Sequence, residues 1–201
     1  MTRTIRSLII GITLSLGCAA CAAGEGESDA SPPPSPQDAP LQRLEEITLE
    51  GDPLSDMDSG PTPEKRQPVG EIHMGSHRII AYAEGRKCGL LVINSAKGTP
   101  ISLKAEWPQN ADQGSSRLPA GPYRSSSASG SSASDPWASL SCGKNAMIVE
   151  YAPKASERPS APRGSVTVAN SRKSDNSFIV VGPKDVRADI LSKLPAGSKS
   201  G

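Results

Sequence analysis

Seven short segments, each closed by a turn former, set the tightest limit on the fold. They read RIIAYAE (78–84), CGLLVIN (88–94), ISLKAEW (101–107), WASLSC (137–142), AMIVEYA (146–152), SVTVAN (165–170) and SFIVVG (177–182). In the third, Ile101, Leu103, Ala105 and Trp107 fall on one face, the two-residue period of a half-buried strand. Gly85-Arg86-Lys87 and Gly143-Lys144-Asn145 separate neighbouring segments as hairpin turns do. The pattern predicts a mainly β domain, a small antiparallel sandwich or barrel of about seven strands. One helix is expected, in PKDVRADILSKLPAG (183–197). There Val186, Ile190 and Leu194 repeat at helical spacing, Leu191 widens the stripe, and Pro195 and Gly197 end it. Such a helix is expected to pack across one end of the sheet.

The 201 residues cannot all join that domain. Hydrophobic residues make up 35% and aromatics 3%, against 19 Gly and 19 Pro, so the core must be small and bordered by unstructured chain. Residues 69–194 are expected to form the β domain and 195–201 a disordered tail. Within the domain, 108–136 is rich in Ser and Gly and is expected as a disordered loop. Residues 18–68 carry eleven acids against three bases, a balance of −8, with Pro- and Ser-rich stretches. They read as an acidic tether. The remainder from 69 onward balances at +7.

At the start, Met1–Arg6 is basic, 7–16 is apolar and uncharged, and Gly17, Ala19 and Ala20 are small. That is the order of a secretory signal peptide over 1–17, and the run is too short to span a bilayer core of about 20 residues. Leu14-Ser15-Leu16-Gly17-Cys18 resembles the lipobox of bacterial lipoproteins, with Ser15 where that family most often has leucine. The resemblance implies an extracytoplasmic protein held to the cell membrane by acyl chains on Cys18, the bilayer being its first partner. The Ala-, Gly-, Pro- and Ser-rich style is similar to that of actinobacterial lipoproteins. Cys21 is the rival acceptor: acylation there removes Cys18 with the leader and leaves an even number of thiols. Outside the cytoplasm Cys88 and Cys142 are expected to pair. Their separation of 54 residues would stabilise the fold by about 4 kcal/mol in the chain-entropy account.

Catalytic signatures are few. G-x-S-x-G, P-loop, dinucleotide and H-E-x-x-H patterns are absent, and no cofactor is implied. Glu84, Glu106 and Glu150 are the candidate carboxylates, expected as solvent-facing alternates of a sheet. His73, Met74 and His77 are ligand types for copper or zinc but an incomplete set, so no metal is assigned. The positive balance of the domain points to polyanion contact through turn residues. Arg86, Lys87, Lys144, Arg172 and Lys173 are the candidates, with Arg78, Arg158 and Arg163 as further members of a basic rim. Outside a cell the polyanions are lipid headgroups and envelope polymers rather than nucleic acid, with another envelope protein as a further partner. The expectation is a non-enzymatic binding or envelope-interaction module. The alternative is a small envelope hydrolase using 108–136 as a lid.

Overall fold

The computed structural model describes residues 40–57, 64–94, 100–130, 136–153, 159–171, 176–194 and 199–200. The expected leader, Cys18, Cys21, Arg158, Arg172 and Lys173 lie outside them. Two antiparallel sheets face each other as a sandwich that is not closed into a barrel. The first holds β1 (Arg66–Met74), β2 (His77–Glu84), β3 (Lys87–Asn94), β4 (Ile101–Glu106) and the two-residue β8 (Arg163–Gly164), in the order β4-β3-β2-β1-β8. The second is built from β5 (Arg124–Ser129), β6 (Trp137–Cys142), β7 (Met147–Ala152), β9 (Val166–Asn170) and β10 (Ser177–Val181), with the short β11 (Lys199–Ser200) on its margin. Its order is β11-β9-β10-β7-β6-β5. Helix α1 covers Lys184–Lys193.

Alternation along the strands fills the space between the sheets. Ile79, Ala81, Leu90, Val92 and Leu103 from one layer meet Leu140, Val149, Tyr151, Ile179 and Val181 from the other, all buried. Cys88 on β3 and Cys142 on β6 are joined by a disulfide, so the covalent link runs from sheet to sheet. At the opposite margin the chain itself crosses. Gly70 and Glu71 of β1 pair with Gly164 and Arg163, and after Ser165 the same stretch continues as β9 in the second sheet. Gly164 makes the corner at φ +83, and a Cβ there would lie 2.5 Å from the Val69 carbonyl oxygen.

The structure adds four strands to the expected seven: β1, β5, the two-residue β8, and β11, which pairs with β9 from within the tail expected as disordered. β1 was hidden by Pro68 and Gly70: the register slips between them, and Val69 is the extra residue of a bulge. Here β8 does not reach the first half of β1, and the Ile47 N–H donates instead to Pro68 O at 2.9 Å. The loop expected over 108–136 contains β5, paired with β6 along its length. Ahead of it Ser115 and Tyr123 exchange backbone hydrogen bonds of 2.8 and 2.9 Å, closing 116–122 into a packed turn.

Residues 40–57, expected as tether, are a strap on the first sheet. Leu41 and Leu44 enter the main core, while Leu49, Leu54 and Met57 cover Ile80, Tyr82, Leu91 and Ile93 on its outer face. Tyr82 lies flat over Gly89, where any Cβ would strike its ring. Helix α1 packs on the outer face of the second sheet, not across its end. Ile190 and Leu194 meet Ile148, Val180 and Tyr123, with Leu118 and Ala120 of the turn beside them.

Candidate functional site

Of the expected basic residues, Arg86, Lys87 and Lys144 fall at one end of the sandwich. Arg86 in the β2–β3 turn and Lys144 in the β6–β7 turn share one end, both exposed. The strap shows their proximity: Leu41 N–H donates to Lys144 O at 3.4 Å, and the Gln42 side-chain amide donates to Gly85 O. Lys87 belongs to the same end but is 3.6 Å from Glu64. Arg172 and Lys173 lie outside the described residues. Beside Lys144 a shallow depression of about 200 Å³ lies against Pro108, Asn110, Pro122 and Asn145.

Two bases expected at the rim are drawn to a buried carboxylate instead. Glu71 is 2% exposed on the outer face of β1. Arg78 Nε donates to its Oε1 at 2.5 Å, and Arg163 Nη1 to its Oε2 at 2.8 Å. The same two guanidinium groups donate onward to the strap, Arg78 to Glu50 O at 2.8 Å and Arg163 to Thr48 O at 2.9 Å. A second acid repeats the device. Glu84, buried, has Lys104 Nζ at 3.1 Å and Arg66 Nε at 3.5 Å, while Arg66 also donates to Leu54 O. Burying a carboxylate is costly unless charged donors meet it, and arginine's planar fork can satisfy an acid and a carbonyl together. These clusters are fasteners.

The carboxylates read from the sequence do not converge. Glu84 lies on the outer face of the first sheet. Glu150 lies on the outer face of the second, where it accepts from Asn176 Nδ2 at 2.7 Å. Glu106 is exposed, with Arg124 Nη1 3.8 Å away. The expected solvent-facing position thus fails for Glu84, because the strap covers it.

The histidines sit on opposite sides of one hairpin. His73 faces out, its Nε2 3.5 Å from Glu71 Oε1, and pairs with Arg78, whereas His77 faces in against the Tyr151 ring at 6.1 Å. Met74 is buried in the core. Among the described residues no three His, Cys, Asp or Glu side chains are placed to hold a metal ion. No helix among them is long and apolar enough to cross a membrane.

Tyr123, in the loop expected as disordered, anchors it. Its hydroxyl donates to Pro119 O at 2.6 Å, and burial pushes its pKa up to about 12. Sequence reasoning missed Glu71 with Arg78 and Arg163. The available signal was an acid inside the apolar run Val69–Met74, facing the first basic residue of the next segment across a two-residue turn. Comparison with family models, curated proteins and solved structures gives no match for this chain.

Proposed function

We propose that the chain is an extracytoplasmic lipoprotein whose folded part is a non-enzymatic binding module. In this reading a leader over 1–17 is removed, Cys18 or Cys21 carries the acyl chains, and the linker runs to residue 39. The observation that carries it is the Cys88–Cys142 disulfide between the two sheets. Structural disulfides persist in oxidising compartments, and a domain so poor in aromatics gains a large share of its stability from one. The entry point of the chain adds support. Residue 40 joins the domain at the end bearing Arg86 and Lys144, and a random chain of the length of 18–39 spans about 25 Å. The lipid would keep that end close to the headgroups, where each nearby base is worth about 1 kcal/mol on an anionic surface. Glu25, Glu27, Asp29 and Asp38 of the linker oppose the contact, so it is salt-labile.

Mass spectrometry of the N-terminal peptide from membranes of producing cells tests the anchor. A diacylglyceryl mass on Cys18 or Cys21 is expected, and a peptide beginning at Met1 with free thiols overturns it. For the basic end, R86E/K144E should lower retention of the full chain on phosphatidylglycerol vesicles at low salt. Equal retention of both proteins removes that contact from the reading.

A further inference from the structure

The β5–β6 ribbon of the second sheet has an outer surface unlike any other in the molecule. Inward, Ala138, Leu140 and Cys142 are buried and Ala128 packs on the core, so alternation turns Ser125, Ser127, Ser129, Trp137, Ser139 and Ser141 outward. The register sets Ser125 opposite Ser141, Ser127 opposite Ser139, and Ser129 opposite Trp137. The first pair approaches to 3.0 Å between hydroxyl oxygens. The strap lies on the other sheet and α1 lies over β7, β9 and β10, so of the covers only the 116–122 turn reaches this ribbon, at its Ser125–Ser141 end.

Edge strands are commonly kept from associating by charge, lysine above all. These six outward positions carry none. They hold hydroxyls and a half-buried indole instead, in a chain with only two tryptophans, the other being buried Trp107. At the Ser125–Ser141 end the strip opens into a cavity of about 520 Å³ walled by Arg117, Leu118 and Tyr123. From there to Trp137 the floor runs about 14 Å, at ~3.4 Å per residue. The next strand adds one acceptor, Glu150, opposite Ser139 and oriented by Asn176.

We infer that this strip is a binding site for a neutral glycan. Hydroxyl groups donate and accept with equal ease, so facing rows of them match a polyol's own alternating donors and acceptors. An indole face offers the flat apolar surface on which the C–H face of a pyranose ring rests. A carboxylate with one oxygen already held accepts from a sugar hydroxyl at the other. Among the described residues an anionic polymer is disfavoured by Glu150 and by the lack of bases at the six outward positions, with Arg117 at one end. The inference rests on the reading of the chain as a binding module and names the ligand class. It uses a different surface from the Arg86–Lys144 end and does not depend on the anchor.

Trp137 reports occupancy directly. Chitotetraose and maltotetraose, with polyphosphate as the anionic control, would be titrated into the purified full chain while tryptophan emission is followed. A saturable change with at least one of the two sugars, persisting in high salt, is expected. S127A/S139A leaves the indole in place and should weaken that response about tenfold, a loss of about 1.4 kcal/mol. W137A, checked for folding by circular dichroism, should abolish sugar binding measured by calorimetry while vesicle retention through Arg86 and Lys144 stays intact. No response to either sugar by a folded protein overturns the inference, as does an affinity unchanged in S127A/S139A. A response to polyphosphate alone assigns the strip to an anion. Normal sugar binding with lost vesicle retention would instead count against the basic end only.

Discussion

The two outer faces of the sandwich are closed by opposite means. On the first sheet the covering strap brings Leu49, Leu54 and Met57 and is tied down by guanidinium groups that also neutralise buried Glu71 and Glu84. On the second, α1 and the 116–122 turn are held by apolar contact, Ile190 and Leu194 against Ile148, Val180 and Tyr123. A strap with only two 3-10 turns of its own, Pro40–Arg43 and Ser55–Met57, leaves carbonyls such as those of Thr48 and Glu50 to be met by other segments, and arginines from distant strands do so. A helix satisfies its backbone internally and needs only an apolar stripe. The difference teaches that the buried charges here serve the cover with the least secondary structure.

Removing the acid should hurt most. Glu71→Ala leaves Arg78 without its partner in a largely covered site, at a cost of about 3–4 kcal/mol. Denaturant unfolding reads the loss, and hydrogen exchange should show it first as lost protection around Ile47. Protection lost evenly across both sheets would mean that Glu71 does not hold the strap in particular. Ile190→Ala attacks the apolar cover and should cost about 2–3 kcal/mol, with exchange rising in α1 while the strap stays protected. Loosening of the strap in that variant would erase the distinction between the two faces.

The smallest effect concerns Tyr123. Its folded pKa stands above the unfolded value of 10.0, at about 12, so the folded state holds its proton where the unfolded chain releases it. The contribution is complete below pH 10 and is lost as pH rises toward 12. Tyr123→Phe should flatten that alkaline decline and remove the bond to Pro119 O, worth about 1 kcal/mol at neutral pH. An alkaline transition unchanged in Tyr123→Phe would assign the decline to other groups.

How much of this was legible varied with what each element depends on. The seven apolar segments announce themselves because a half-buried strand writes its own alternation, as Ile101, Leu103 and Ala105 do. The disulfide was legible from the expected export of the chain and from two cysteines at strand edges. β5 was not: RSSSAS has no β-branched or aromatic residue, and its strand character comes from pairing with β6. The strap was hidden for a related reason. Leu41, Leu44, Leu49 and Leu54 are diluted among acids, and their burial depends on Arg66, Arg78 and Arg163, which lie far along the chain. Arg78 and Arg163 leave the expected rim because both answer to Glu71, a partner visible only once β1, β2 and β8 are side by side.

The crossing at Gly164 carries a mechanical consequence. With the chain passing between layers at Gly164 on one margin and through 107–123 on the other, and sulfur bridging them near the second, the sandwich resembles a folder bound along both edges and clipped beside one of them. Reduction removes the clip and leaves both bindings, so the β4–β5 side then relies on the 107–123 connection and on packing around Trp107. The serine strip and Trp137 belong to the leaf that the clip steadies.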